Sequence, residues 1–338
     1  MRHANLFRAT LFLCMTALSG SLSRAETVSP APRPLYSFNQ SPLIQIYGLP
    51  ALGESRVLGP EESTLAVHLQ IANHFTGASN SNESLHLDGE TRRLTLHWRQ
   101  GLPGSGEWGF ELPHVSHNGG FLDAYIEEFH DIFSMQQHGR TDLPRNRLDY
   151  RYTRQGATLI NLDHAVSGVG DVRVFAGKPV STQTASGGYT AAWRASLKLP
   201  TGDDAKLLGS GSTDLAAWLS AATARPPDQW NLYGGGGLLL LSEGNVMLEQ
   251  QRHVVGFGTL GISQKFFPRV TINAQLDIHS PFYSDSGLRQ LGRYAVLGLL
   301  GAEWELGPRK YVTLSMSEDM VVGASPDVAF NLSLTLPF

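Results

Sequence analysis

An all-β chain, a transmembrane antiparallel barrel of about 14 strands with one short amphipathic helix in a long loop, is the fold class this sequence predicts. Three observations carry it. Apolar residues recur at every second position, most clearly as Val270, Ile272, Ala274, Leu276 and Ile278 against Thr271, Asn273, Gln275, Asp277 and His279, which is the period of a strand. Beyond the first 25 residues there is no unbroken apolar run of about 18 residues, so an ordinary helical membrane protein is excluded, whereas a closed barrel crosses without one. Glycine is abundant, 36 of 338 residues, and lies among short alternating runs, unlike a soluble α/β enzyme.

Residues 1–25 read as a secretory signal peptide. Arg2 and Arg8 precede the apolar stretch Ala9 to Leu18, and Ser23-Arg24-Ala25 offers small residues for cleavage. The single cysteine, Cys14, would leave with it, which removes thiol nucleophiles, disulfides and thiolate metal sites. Formal charge then moves from 26 basic against 30 acidic residues to 23 against 30, because three arginines depart. No basic patch points to nucleic acid.

Residues 26–62 are Pro-rich and aperiodic, with Leu43-Ile-Gln-Ile-Tyr47 inside them; they form a periplasmic lead-in or a plug of the lumen. The barrel is assigned to residues 63–338. Leu65, Val67, Leu69, Ile71 and Phe75 alternate with Ala66, His68, Gln70, Ala72 and His74. Around Asp88 to Arg99 the outward set is Leu94, Leu96 and Trp98, and the inward set Thr95, His97 and Arg99. The turn Gly101 to Gly106 leads to Trp108, Phe110 and Leu112, of which the two aromatics suit an interface girdle.

A long insertion, 117–146, interrupts the alternation. Within it Leu122, Tyr125, Ile126, Phe129, Ile132 and Phe133 recur at helical spacing opposite Asp123, Glu127, Glu128 and Asp131. This amphipathic helix is expected in or over the barrel mouth. Further strands are expected at 148–152, 158–163, 171–177, 191–199, 214–221, 230–241, 254–264, 270–279, 291–306 and 311–317.

The final strand, Val328 to Phe338, sets Val328, Phe330, Leu332, Leu334, Leu336 and Phe338 against small or polar neighbours. A soluble sandwich strand would alternate too, but this ending resembles the insertion signal of bacterial outer-membrane barrels, which implies the barrel-assembly machinery as a partner. With both termini on one side the strand number is even. Taking Arg154-Gln155-Gly156 as an inner turn gives 14; if the segment 158–163 and one neighbour lie outside the wall, it is 12.

Asp88-Gly-Glu-Thr91, Gly119-Gly-Phe-Leu-Asp123, Ile126-Glu-Glu-Phe-His130, Gly139-Arg140, Gly168-Val-Gly-Asp171 and Leu199-Pro-Thr-Gly202 together resemble a bacterial family of exported proteins of unknown function, thought to be outer-membrane barrels. The later half, with Gly209-Ser-Gly211, is also similar to outer-membrane channels linked to uptake of aromatic and hydrophobic compounds. The resemblance implies location and architecture and supplies no catalytic residue.

Several constellations carry possible chemistry. Glu127-x-x-His130 has the i, i+3 spacing of carboxylate-bridged metal sites, but such sites need a second pair and further carboxylates. A helix docked by hydrogen bonds is the simpler reading, and neither metal nor cofactor is expected. Asp88, Glu90, Arg92, His97, Arg99, Glu111, His114, Asp123, Glu127, Glu128, His130 and Arg140 are the candidates for a ligand site or a lumen network, in which buried charges mainly pair with one another. Gly256-Phe-Gly-Thr-Leu-Gly261 matches a dinucleotide fingerprint in letters only, since it lies within a strand and no helix follows. Gly234 to Gly237 read as strand glycines beside bulky neighbours.

The function expected is a narrow outer-membrane channel or binding site for a small solute, hydrophobic ones among the candidates, surrounded by outer-membrane lipid and lipopolysaccharide. One alternative is a membrane-embedded enzyme modifying lipid or lipopolysaccharide, with His97 or His114 as base; another is a structural or assembly barrel without ligand.

Overall fold

In the computed structural model the described residues are 31–132, 144–183, 188–226, 228–321 and 323–338, without the side chains of 129–130 and 181–183. The expected signal peptide with Cys14, the side chain of His130, and Arg140 lie outside the described residues.

Among the described residues, fifteen strands and one helix of more than two turns organise the chain. In order they are β1 (Ser63–Ser79), β2 (Glu83–Leu102), β3 (Gly106–Asn118), α1 (Asp123–Ile132), β4 (Asp149–Arg154), β5 (Ala157–Leu162), β6 (Val166–Val169), β7 (Arg173–Gln183) and β8 (Gly188–Lys198). There follow β9 (Asp214–Ala224), β10 (Asn231–Leu241), β11 (Val254–Phe267), β12 (Val270–His279), β13 (Ala295–Gly307), β14 (Lys310–Asp319) and β15 (Val328–Pro337). Every pairing is antiparallel, and β1 closes on β15 in the register Thr64 to Pro337 through Asn73 to Val328. The closed wall is β1, β2, β3 and β7 to β15, twelve strands.

The expected count of 14 therefore gives way to 12, with three short strands outside the ring. Arg154-Gln155-Gly156 is not an inner turn: Gln155 N–H donates to Asn82 O, beside the β1–β2 connection at the end of the barrel away from the termini. Length explains it. β4 and β5 have six residues each, short of the roughly 9–11 a tilted spanning strand needs. β2 serves two partners, β3 from Glu90 to Leu102 and β4 from Glu83 to Asp88. Gly89 sits at the changeover with φ +149°, where a Cβ would lie 2.7 Å from Leu148 Cδ1.

Alternation assigns the two faces of the wall. Leu260, Leu276, Ile278 and Leu332 are solvent-exposed, while Gln275, Asp277, Asn273 and Asn331 are buried. Apolar outside and polar inside inverts the soluble pattern and suits a wall that faces lipid. At the near end, where Phe338 N–H donates to Ser63 O, Trp98 and Phe338 lie 5.7 Å apart between ring centres.

Two further expectations resolve here. The four glycines of β10 stand beside bulky groups: a Cβ on Gly235 would come within 2.7 Å of Leu52 Cδ1 and 2.0 Å of Leu219 O. Helix α1 is not over the mouth. It lies against the outer face of the wall at the far rim, because Glu90, on the outward face of β2 with Arg92, Leu94 and Leu96, accepts from Phe121 N–H and Leu122 N–H. Asn73, on the outward face of β1, donates to Asp123.

Candidate functional site

Residues 33–58 occupy the lumen. This segment enters at the near end, where Arg33 pairs with Glu303 at 2.6 Å and stacks over Tyr311. It rises along β12 to β15: Leu35 exchanges two hydrogen bonds with Gln275, Gln40 donates to Asn331, and Asn39 reaches His279. At the far end residues 41–47 turn, with Ile44 N–H and Gln45 N–H donating to Ser41 O. The return arm descends along β7 to β9 and leaves beside Glu107 of β3, which accepts from Leu58 N–H.

The segment forms no strand or long helix, so its peptide groups need partners from elsewhere. Inward side chains supply them. Carbonyls of Leu43, Ile46, Leu49, Leu52, Glu54 and Arg56 accept from Tyr283, Lys198, Arg173, Trp218, Ser220 and the pair Arg99 and Arg194, respectively. Gly48 N–H donates to Asp214 at 2.7 Å, and a Cβ on Gly48 would lie 2.8 Å from Asp214 Cβ. Many of these bonds are charge-assisted, the stronger kind.

Above the turn, apolar residues close the far end. Leu43, Ile44, Ile46 and Tyr47 pack with Tyr150, Tyr152, Ile160 and Leu162 of the β4–β5 hairpin and with Met247, Phe282 and Tyr283 of the loops. Tyr47 stacks on Phe282 at 5.2 Å. Tyr152 OH donates to Glu83 and also contacts Gln250 of the loop between β10 and β11. The short hairpin thus acts as part of a lid whose inner surface continues the hydrophobic face of the segment.

Facing the return arm is a band of buried charge. Glu107 joins Arg99 at 2.8 Å and Arg194 at 2.9 Å; Arg99 also meets Glu54 of the segment at 3.1 Å. Arg173 pairs with Glu111 at 2.8 Å. Lys198 lies between Asp171 and Asp214 at 2.5 and 3.2 Å, with Ser210 Oγ also at 2.5 Å from its Nζ. Each charge has an opposite partner, as ions removed from bulk water require. A small cavity of about 50 Å³ remains between Tyr36, Ala51 and Gly53 of the segment and His97, Arg99, Glu111 and Arg173 of the wall. His97 presents an edge contact to Phe175 at 5.2 Å, and Tyr36 stacks on His68 at 3.6 Å.

The candidates expected to share one network are divided by the wall. His97, Arg99 and Glu111 face the lumen and line this cavity. Asp88, Glu90, Arg92, Asp123 and Glu127 belong to the outer cluster around α1: Arg92 lies over Phe121, and Glu127 pairs with Arg145. Glu128 is exposed on the helix. His114 is exposed on the outward face of β3, opposite Leu94, so it and His97 cannot act on one substrate from one side of the wall. Among the described residues no three His, Cys, Asp or Glu side chains gather as a metal-ligand set.

Sequence reasoning passed over Arg173, Arg194, Lys198, Glu107, Asp171 and Asp214. A signal was present: Arg194, Ser196 and Lys198 alternate with the exposed Trp193, Ala195 and Leu197, the mark of charges on a lumen face.

At the exit of the segment Glu62 accepts from Arg56 at 2.6 Å and from Gly59 N–H at 2.8 Å, and meets Arg309 of the β13–β14 turn at 2.8 Å. Partial burial pushes its carboxyl up, but Arg56, Gly59 N–H and Arg309 outweigh that and hold it below the usual glutamate range. A depressed folded-state pKa gives a latch that is complete above the ordinary carboxylate value of about 4.3 and is lost as pH falls through the lowered one. Glu62→Gln should therefore speed amide hydrogen exchange across residues 56–62 at neutral pH. Corrected for the slowing of intrinsic exchange in acid, the native chain should lose the same protection only at low pH, and equal rates at neutral pH would remove the latch.

The family model described as protein of unknown function (DUF3187) matches residues 9–338. No curated protein matches the sequence. Among solved structures, the COG4313 outer membrane channel from Pseudomonas putida F1 superposes with TM-score 0.56 at 13% identity, covering 84% of this chain and 98% of that one. The KdgM porin gives TM-score 0.42 at 8% identity, covering 81% and 99%. The P. putida toluene transporter TodX gives 0.35 at 10% identity, covering 84% and 91%. The first of these is a likeness of fold: this chain forms a barrel like that of an outer-membrane channel.

Proposed function

The chain belongs to the DUF3187 family, and we propose that it is an outer-membrane solute channel closed from within by its own N-terminal segment. One observation carries the reading: residues 33–58 fill the lumen yet are held by side chains, and add no strand to the wall. A segment bound in this way can leave without breaking a single wall pairing. A purely structural barrel has no need of a removable filling, and an enzyme would need an approach to its catalytic groups that the segment blocks.

In this reading the exposed apolar band faces outer-membrane lipid, and its upper margin faces lipopolysaccharide. The near end lies in the periplasm, and the strand ending in Phe338 addresses the barrel-assembly machinery. The solute is small and polar. A hydrophobic one would cross an inner wall that presents Gln70, Gln275, Asn331 and the charged band, all buried against the segment, at the cost of their hydrogen bonds.

Single-channel recording in planar bilayers tests it. Deleting residues 34–58 should convert a rarely conducting barrel into a steadily conducting one, whereas deleting 121–132, which lie outside the wall, should leave conductance as it was. If the first deletion folds, by heat-modifiable gel migration, and conducts no more than the full chain, the proposal fails.

A further inference from the structure

A second cavity, of about 210 Å³, lies at the near end between Ala31, Pro32 and Arg33 and the inner faces of β10 to β14. That is about seven times the ~30 Å³ share of a water molecule in the liquid, room for a small solute. We propose that it is a binding site for a small hydroxylated carboxylate, with Arg269 taking the carboxylate and Asn273 accepting from a hydroxyl. The proposal rests on the channel reading, for which it names the class of solute.

Charge points to the anion. Arg33, Lys265 and Arg269 line the cavity together with Glu303 and Glu305. Glu303 is engaged by Arg33 at 2.6 Å and Glu305 by Lys265 at 3.0 Å. Both carboxylates are thus neutralised, and one cation is in surplus. Among the described residues Arg269 has no ion pair, and its planar fork suits a carboxylate bound through two N–H groups. A dianion would exceed that single charge, and a cation would meet carboxylates that are already paired.

Asn273 points to the hydroxyl. It is 2% exposed, lines the cavity, and its Oδ1 has no hydrogen-bond partner. A buried amide oxygen without a donor is costly; a turn of the amide about its Cβ–Cγ bond brings this oxygen to the cavity, where a hydroxyl on a bound solute removes that cost. Asn231, Ser263 and Thr271 complete a lining that offers a hydrocarbon little.

The test uses the full-length barrel folded in detergent and isothermal calorimetry with gluconate, sorbitol and hexanoate. Gluconate should bind, and sorbitol, without the carboxylate, and hexanoate, without the hydroxyls, should each bind at least about tenfold more weakly. Arg269→Gln lies in an exposed turn and should fold normally, shown by heat-modifiable migration, while weakening gluconate at least about tenfold. Asn273→Ala should weaken gluconate and leave hexanoate unchanged. Absence of gluconate binding, equal binding of hexanoate, or an unaffected folded Arg269→Gln variant would each overturn the assignment. Calorimetry needs no conduction, so these outcomes are separable from failure of the channel itself, which the bilayer recording reads.

Discussion

A Ser55→Cys/Thr190→Cys variant should conduct only when reduced. The two hydroxyl oxygens lie 2.6 Å apart in the native chain, one on the return arm and one on the inner face of β8, so the paired cysteines are placed to bridge within ordinary disulfide geometry. The one native cysteine, Cys14, is replaced by serine in the background used. Oxidised, the arm is fixed to the wall and the lumen stays filled, however strongly a voltage or a solute favours release. Reductant should restore the native open probability, and each single-cysteine variant should ignore the redox state. Full conductance through the oxidised, gel-verified bridge would show that solutes pass with the segment in place, and the proposed mechanism would be abandoned.

The second large effect is expected at Glu107, where one carboxylate holds Arg99, Arg194 and the Leu58 N–H together. Glu107→Ala leaves two buried guanidinium groups short of their shared counter-ion, and breaking a buried pair from one side costs about 3–5 kcal/mol. Glu54 still reaches Arg99 at 3.1 Å, but Arg194 keeps only Ser220 Oγ and the Arg56 carbonyl. Denaturant-dependent unfolding from lipid vesicles should register the loss. An additional Arg194→Leu change should recover part of it, because the stranded charge is then gone. A Glu107→Ala barrel as stable as the native one would show that water reaches this band freely.

Much of this was legible in the alternation. Val270 to His279 gave both the bounds of β12 and its inward face, and Val328 to Phe338 gave β15 to within a residue. Parity even contained the answer for the outer cluster. Asp88, Glu90 and Arg92 fall on the same side of β2 as Leu94, Leu96 and Trp98, hence outward. The expectation that charges avoid lipid set that aside, although at the far rim residues 120–122 and 147–148 pack over this stretch, and Asp88 and Glu90 are buried. His97, Arg99 and Glu111 were found together because their strands are adjacent, with His97 opposite Glu111 in register.

The strand number needed partners as well as periodicity. Six residues at 149–154 alternate as a wall strand does, and only the pairing of β2 with two successive partners shows that they stand above the ring. Nor could local pattern place residues 33–58. They have no periodicity because their hydrogen bonds go to side chains far away in the chain, such as Gln275 for Leu35 and Lys198 for Ile46.

The sequence by itself determined the period of the wall and which side of it is apolar, since each depends on neighbours along the strand. Only the tertiary structure decided that twelve strands close, that α1 stands outside, and that the start of the chain occupies the lumen. Those outcomes depend on groups separated by up to the whole length of the barrel, where what matters is which distant side chain satisfies which peptide group.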